Sequence, residues 1–134
     1  MAESLGRHAL FADLPAATLG KLASSVTEER FAEGEWVLRP GTENCGLHLI
    51  LDGEVAVVID DEERAVLHAG MFFGEISVLL GEPVGLGVVA RSPLRCAVID
   101  RERLLPLLIA NPTVMLRLLQ AEARRLSDAN RWQA

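Results

Sequence analysis

The sequence predicts an α+β domain, mainly β, in which short strands form a small sandwich or barrel between helical ends. Three observations carry this. From Val26 to Ile99 apolar residues recur with a period near two, broken by turns rich in Gly, Pro and Asp. Before Val26 and after Asp100 the apolar spacing changes to three and four. The chain has 134 residues, 50% of them hydrophobic, which suffices for one domain with one core.

Residues 3–10 are predicted as a short helix. FADLPAATLGKLASS then sets Leu14, Leu19 and Leu22 on one helical face, with Pro15 tolerated in the first turn, so helices are expected within 3–25. VTEERFAEGEWVLRPG reads as two short strands broken at Glu33-Gly34 and stopped by Arg39-Pro40-Gly41. GLHLILDGEVAVVID reads as a hairpin, because Asp52-Gly53 supplies the positive φ angles of a two-residue turn. Asp60 to Glu63 is a second, charged turn, and ERAVLHAG a further strand. GLGVVARSPLRCAVID gives two more, split by Ser92-Pro93, so the barrel is expected over 26–99. Asp100 is expected to cap RERLLPLLIA, which Pro106 should shorten or bend. Asn111-Pro112 is a restart, with Asn as cap and Pro in the first helical position, and the C-terminal helices fill 101–131. In the last helix Leu116, Leu119, Ala123, Leu126 and Asn130 form a seam that can pack on the barrel or on a second copy.

Several function classes are excluded. The net charge of −6 opposes direct nucleic-acid binding, which relies on a positive face. No apolar run reaches the ~18 residues of a membrane span. MAESLGRHAL lacks the basic region and apolar core of a signal peptide, so a cytoplasmic location is expected. Cys45 and Cys96 lack metal-ligand spacing and read as free thiols in a reducing compartment. His8, His48 and His68 are scattered, and His48 and His68 lie in strand patterns without a neighbouring carboxylate. A lone strand histidine is read as structural or exposed, and no metal site is expected. Neither Gly-x-Ser-x-Gly nor a Walker-type loop occurs, and no enzyme is expected. GEPVGLG leads into a strand, so it is not a dinucleotide-binding loop.

The stretch FFGEISVLLGEPVGLGVVA, residues 72–90, is laid out to cradle an anion yet contains no Lys or Arg. Gly74 lets the backbone turn tightly or approach a ligand. A short helix starting near Glu75 aims free amides at an anion. The Glu75 carboxylate can accept hydrogen bonds from ribose or from loop amides.

Together with LFADLPAATLGKLA, EGEWVLRPG, LHLILDGEVAVV and NPTVMLRLLQAEARRL, this stretch resembles the cyclic nucleotide-binding domain family, from Leu10 to Asn130. The resemblance implies a double-stranded β-helix, or jelly-roll barrel, with N-terminal helices and two C-terminal helices. It implies a non-enzymatic regulatory role, with cAMP or cGMP as the ligand inside the barrel. It assigns the ligand to Phe73, Gly74, Glu75, Ile76, Ser77, Pro83, Val84, Gly85 and Leu86, with Asn130 against the purine. In the family, Phe-Gly-Glu-Leu-Ala-Leu-Leu is followed by Pro-Arg-Ala-Ala-Thr. Phe73 to Leu79, Gly81 and Pro83 follow that pattern. Val84 stands at the arginine, Gly85 and Leu86 at the small residues, and Gly87 at the threonine.

The arginine supplies charge and a fork of donors to the cyclic phosphate, and Val84 supplies neither. Hydrogen bonds to charged groups contribute about 1.5–3 kcal/mol, so affinity should fall roughly 10- to 100-fold. Glu75 is left without a counter-charge in its loop, and Arg91 and Arg95 are the downstream cations that could reach an anion. Two functions are thus open. One is a sensor with weak or lost cyclic-nucleotide affinity. The other is a structural or dimerising module whose pocket is plugged by Val84 and Leu86. The expected partners are a small molecule, a second copy through 112–131, or a fused effector domain. A DNA-binding domain such as bacterial regulators carry is not expected, since few residues follow Asn130.

Overall fold

Helices α1 (Ala2–Arg7) and α2 (Ala16–Ala23) precede strands β1 (Thr27–Phe31), β2 (Trp36–Leu38), β3 (Leu47–Asp52), β4 (Glu54–Ile59), β5 (Glu62–His68) and β6 (Phe72–Phe73). Helix α3 (Glu75–Leu80) leads to β7 (Gly87–Ala90) and β8 (Leu94–Ile99), and α4 (Arg101–Ala110) and α5 (Pro112–Arg131) follow. This computed structural model describes residues 1–131, with side chains through Ala129. The strands form two antiparallel four-stranded sheets, ordered β1-β8-β3-β6 and β2-β7-β4-β5. They make the jelly roll that the resemblance implied.

The first sheet is covered on both faces. Ile50, Phe73, Leu94 and Cys96 point between the sheets and meet Leu38, Val55, Leu67 and Val88. Leu47, Leu49, Phe72, Ala97 and Ile99 point the other way, under Leu5, Phe11, Leu22, Leu104, Leu108, Val114 and Leu118 of the helical segments. Burial on two faces is why LHLIL is apolar without alternation.

Asp52-Gly53 does not turn a hairpin. β3 and β4 lie in different sheets, and the pair carries the chain around the corner between them. β7 and β8 cross the same corner in reverse at Ser92-Pro93. The two crossings touch: the Glu54 amide donates to Ser92 Oγ at 3.0 Å. A Cβ on Gly53 would lie 2.3 Å from the Pro93 carbonyl oxygen, and its φ is +95°. The two-residue hairpin is instead Asp60-Asp61, both at positive φ, with Ile59 opposite Glu62. Positive φ serves a corner and a hairpin equally, so the Asp-Gly pair cannot tell them apart.

At the C-terminal end, the Arg103 amide donates to Asp100 Oδ1 at 2.9 Å, which caps α4 as expected. Pro106 does not shorten α4, which runs on to Ala110. Asn111 starts α5 with its carbonyl, which accepts from the Met115 amide at 3.2 Å, but its side chain turns back: Nδ2 donates to the Leu107 carbonyl at 2.9 Å and closes the end of α4. Pro112 takes the first position of α5. On α5, Val114, Leu118 and Ala121 face the domain, while Leu116, Leu119, Ala123 and Leu126 are exposed. The predicted seam therefore lies on the outer face and does not pack on its own barrel. Arg117 ties α5 to the N-terminal segment, donating to the Ala12 carbonyl at 2.6 Å. Buried His8 fastens that segment from the other side. Its Nδ1 accepts from the Leu10 amide at 3.1 Å, which leaves Nε2 to donate to the Met71 carbonyl at 3.2 Å.

Gly53→Ala should cost about 1–3 kcal/mol of unfolding free energy, from left-handed strain and the clash at the corner. Urea denaturation measures it, and a cost below about 0.5 kcal/mol, the range of ordinary surface substitutions, would show that the two crossings do not constrain each other.

Candidate functional site

The site begins where β6 ends. Gly74, at φ +86°, swings the chain from β6 into α3. A Cβ there would lie 2.5 Å from the Gly46 carbonyl oxygen, so glycine is needed for close approach to the start of β3. The loop residues then separate. Phe73 and Val84 point into the barrel and pack with Leu38, Cys45 and Val88, and half-buried Leu86 joins them. Glu75 is buried at the first turn of α3. Ser77 is also buried, and its hydroxyl donates to the Glu82 carbonyl, which fixes the turn that ends α3. Ile76, Pro83 and Gly85 lie at the surface. Ser77 and Pro83 border a cleft of about 500 Å³ whose charged lining is Glu43, Glu82, Asp100 and Glu102 against Arg101. Its acidic balance opposes an anion there. The side chain of Asn130, assigned to the purine, lies outside the described residues.

Val84 is fixed by backbone as well as side chain. Its amide donates to the Thr42 carbonyl at 2.9 Å and its carbonyl accepts from the Gly41 amide at 2.7 Å. Only 6% of the residue is exposed. Val84 is thus part of the barrel's apolar filling.

The counter-charge that the loop lacks comes from α5. Arg125 Nη1 donates to Glu75 Oε1 at 2.8 Å, and Nη2 donates to the Phe72 carbonyl at 2.6 Å. The guanidinium also covers the Phe72 ring, 4.6 Å from its centroid. Glu122, one turn earlier on α5, reaches the same Nη1 at 3.4 Å. Burial, with Glu75 alongside, pushes the Glu122 carboxyl up to about 7. Arg125 stands 50 residues from Glu75, so no local motif joins them. One signal was present: Arg125 continues the line of Val114, Leu118 and Ala121, the inward face of α5.

The downstream cations Arg91 and Arg95 are engaged elsewhere. Arg91 pairs with Glu63 at 2.9 Å, and Arg95 pairs with Glu28 at 2.9 Å and Asp52 at 3.4 Å. Neither Arg91 nor Arg95 supplies the missing charge. His48, expected to lack a carboxylate neighbour, has one: Glu29 Oε2 lies 3.7 Å from its Nε2. The contact arises because β1 and β3 both flank β8. His48 Nδ1 also donates to the Gly46 carbonyl at 2.9 Å, and its ring stacks on Phe73 at 4.8 Å. The nearby His48 ring holds the Glu29 carboxyl below its ordinary range. Burial pushes the Cys45 and Cys96 thiols up to about 11 and about 12, so neither offers a thiolate near neutrality. Among the described residues no three His, Cys, Asp or Glu side chains gather as metal ligands.

Residues 28–111 match the cyclic nucleotide-binding domain family. The chain belongs to that family. A cGMP-dependent protein kinase of Plasmodium berghei is 32% identical over 120 residues, covering 89% of this chain and 14% of the kinase. The cyclic nucleotide-gated channel alpha-4 of Mus musculus is 36% identical over 78 residues, 57% of this chain and 14% of the channel. The chain thus spans a small part of these relatives. A cyclic nucleotide-binding domain from Methylobacillus flagellatus superposes with a TM-score of 0.81 at 30% identity, covering 96% of this chain and 78% of that one. The Thermus thermophilus catabolite activator protein gives 0.78 at 27% identity, over 90% of this chain and 59% of that one. The chain is therefore a cyclic nucleotide-binding domain of the regulatory type.

Arg125→Gln should destabilise this domain by about 3 kcal/mol, the low end for stranding one partner of a buried pair, because a freed helix end lets water reach Glu75. A Glu75→Gln/Arg125→Gln double variant should lose less than the sum of the singles. Strict additivity in urea denaturation would mean that the two groups do not depend on each other.

Proposed function

We propose that this domain is a non-enzymatic ligand sensor whose affinity for cAMP or cGMP is weak or lost, and that it acts on an attached effector domain in the cytoplasm. The observation that carries the reading is Val84, at the arginine's position in the loop and packed into the barrel. A cyclic phosphate entering there meets apolar side chains and loop amides but no cation. The engagement of Glu75 by Arg125 supports the same reading. A ribose hydroxyl must take that carboxylate from a guanidinium 2.8 Å away, or share it.

The candidate contacts remain Phe73, Gly74, Glu75, the adjoining amides and Leu86. Ile76, Pro83 and Gly85 contribute at most backbone, since their side chains lie at the surface. A ligand at Glu75 would act on the last helix directly, because Arg125 joins the two. Such a switch needs different affinities for two helix positions, as a ligand that binds both equally shifts neither.

A second reading, the plugged dimerisation module, is favoured by one feature. Leu116, Leu119 and Leu126 are exposed along one stripe of α5, with Ala123 between them. A second copy of α5 would cover that stripe, with the spacing of three and four that helix pairing requires.

Calorimetric titration with cAMP and cGMP tests the first reading. The natural chain should bind at least about 10-fold more weakly than a folded Val84→Arg variant, the lower bound for lost charged hydrogen bonds. Equal micromolar binding by both would sink it and would mean that amides and Glu75 suffice. Light scattering after size exclusion tests the second. A dimer that Leu119→Glu converts to a monomer is the expected result, and a natural chain that stays monomeric at high concentration overturns it.

A further inference from the structure

We infer that Glu122, Arg125 and Glu75 form a proton-controlled latch that holds α5 against α3 and covers the Glu75 carboxylate. The latch is defined without any ligand, and only its regulatory consequence rests on the sensing role proposed above.

The geometry places two carboxylates on one guanidinium. Arg125 Nη1 serves Glu75 at 2.8 Å and Glu122 at 3.4 Å, while Nη2 is committed to the Phe72 carbonyl at 2.6 Å. The Glu75 side chain is 5% exposed and that of Glu122 24%. With both carboxylates ionised the cluster carries a net negative charge in a half-buried seam. With one proton it is neutral, and Glu122 lies within hydrogen-bond reach of Glu75 to share it. Glu75 from α3 and Arg125 from its own helix are the charged groups that act on Glu122. Across the seam the Cys45 thiol feels Glu75 and stays protonated, so it adds no charge.

The direction follows. Undocked, Glu122 returns to the ordinary glutamate value near 4.5, and docked it holds its proton up to about 7. Docking therefore takes up a proton between those values. Its contribution is complete below the lower value and is lost as pH rises through the upper one. Across that window a rise in pH loosens the end of α5 and uncovers Glu75, so proton and ligand would act on one contact.

Two readouts on the full chain test this. Carboxyl NMR of labelled glutamate should show Glu122 titrating near 7. Hydrogen exchange, corrected for the intrinsic pH dependence, should show the α5 amides around 119–128 losing protection as pH rises from about 4.5 to about 7 and no further loss above it. One released proton limits the loss to about tenfold per pH unit, and α4 should not change. Glu122→Gln should stay docked throughout, because its amide donates to Glu75 as the protonated acid does, and the pH dependence should vanish. Glu122 titrating in the ordinary carboxylate range would overturn the latch, as would an unchanged pH slope in Glu122→Gln. If that variant fails to dock, the titration in the natural chain still decides. Neither readout involves cyclic nucleotide, so the latch and the sensing role can fail separately.

Discussion

A carboxylate taken out of water needs a partner, and in this domain that need is concentrated at Glu75. The tight turn at Gly74 sets its side chain at the first turn of α3, almost fully covered by protein. A nearby cation in the same loop could have met the charge, but the loop has none. The partner is instead drawn from the last helix, and Arg125 satisfies Glu75, the Phe72 carbonyl and the Phe72 ring at once. Because Arg125 is one point on a rigid helix, its contact fixes the rotation of α5. Val114, Leu118 and Ala121 then face inward, and Leu116, Leu119 and Leu126 necessarily face out. One ion pair thereby connects the loop, the orientation of the helix and the composition of its outer face.

The sheet beneath imposes the second constraint. Between-sheet packing occupies Ile50, Phe73 and Cys96, and the opposite face of the same strands carries Leu47, Leu49 and Ala97. That opposite face would be an apolar surface in water without the helical segments before β1 and after β8. Burying a large aliphatic side chain contributes about 1.5–3 kcal/mol, so the helices follow from the composition of the sheet. The specific bonds then choose their positions: His8 on the Met71 carbonyl, Arg117 on the Ala12 carbonyl, and Arg125 on Phe72 and Glu75.

Much of this was legible in the amino-acid order, and what was not has a common cause. Strand and helix positions follow from periods of two and of three and four, and the family was legible from Phe73 to Leu79 and the stretches around it. Short-range chemistry was partly legible. Asp100 caps as its type requires, whereas Asn111 had equal use at either side of a break and chose the end of α4. Long-range choices left no local trace. Positive φ at Asp52-Gly53 does not say whether the next strand joins the same sheet. Glu29 meets His48 only because a third strand lies between theirs. Arg125 was visible as a cation on an inward line, but its target was not, because the phase of a helix does not name what it covers.

Meeting Glu75 with a helix cation and not a loop cation changes what the site favours when empty. An arginine in the loop would be a desolvated charge awaiting an anion, whereas Val84 adds burial to the barrel. Arg125 next neutralises the carboxylate that a ligand would use. Both changes stabilise the empty, docked state. A ligand must therefore contribute more to reach the same population of the alternative state, since occupancy is reduced by the fraction that is competent to bind. In the proposed sensor, weak affinity and a firmly held helix are in this sense one property. Val84 fills the barrel from the loop, and the last helix holds the same loop through the Glu75 carboxylate.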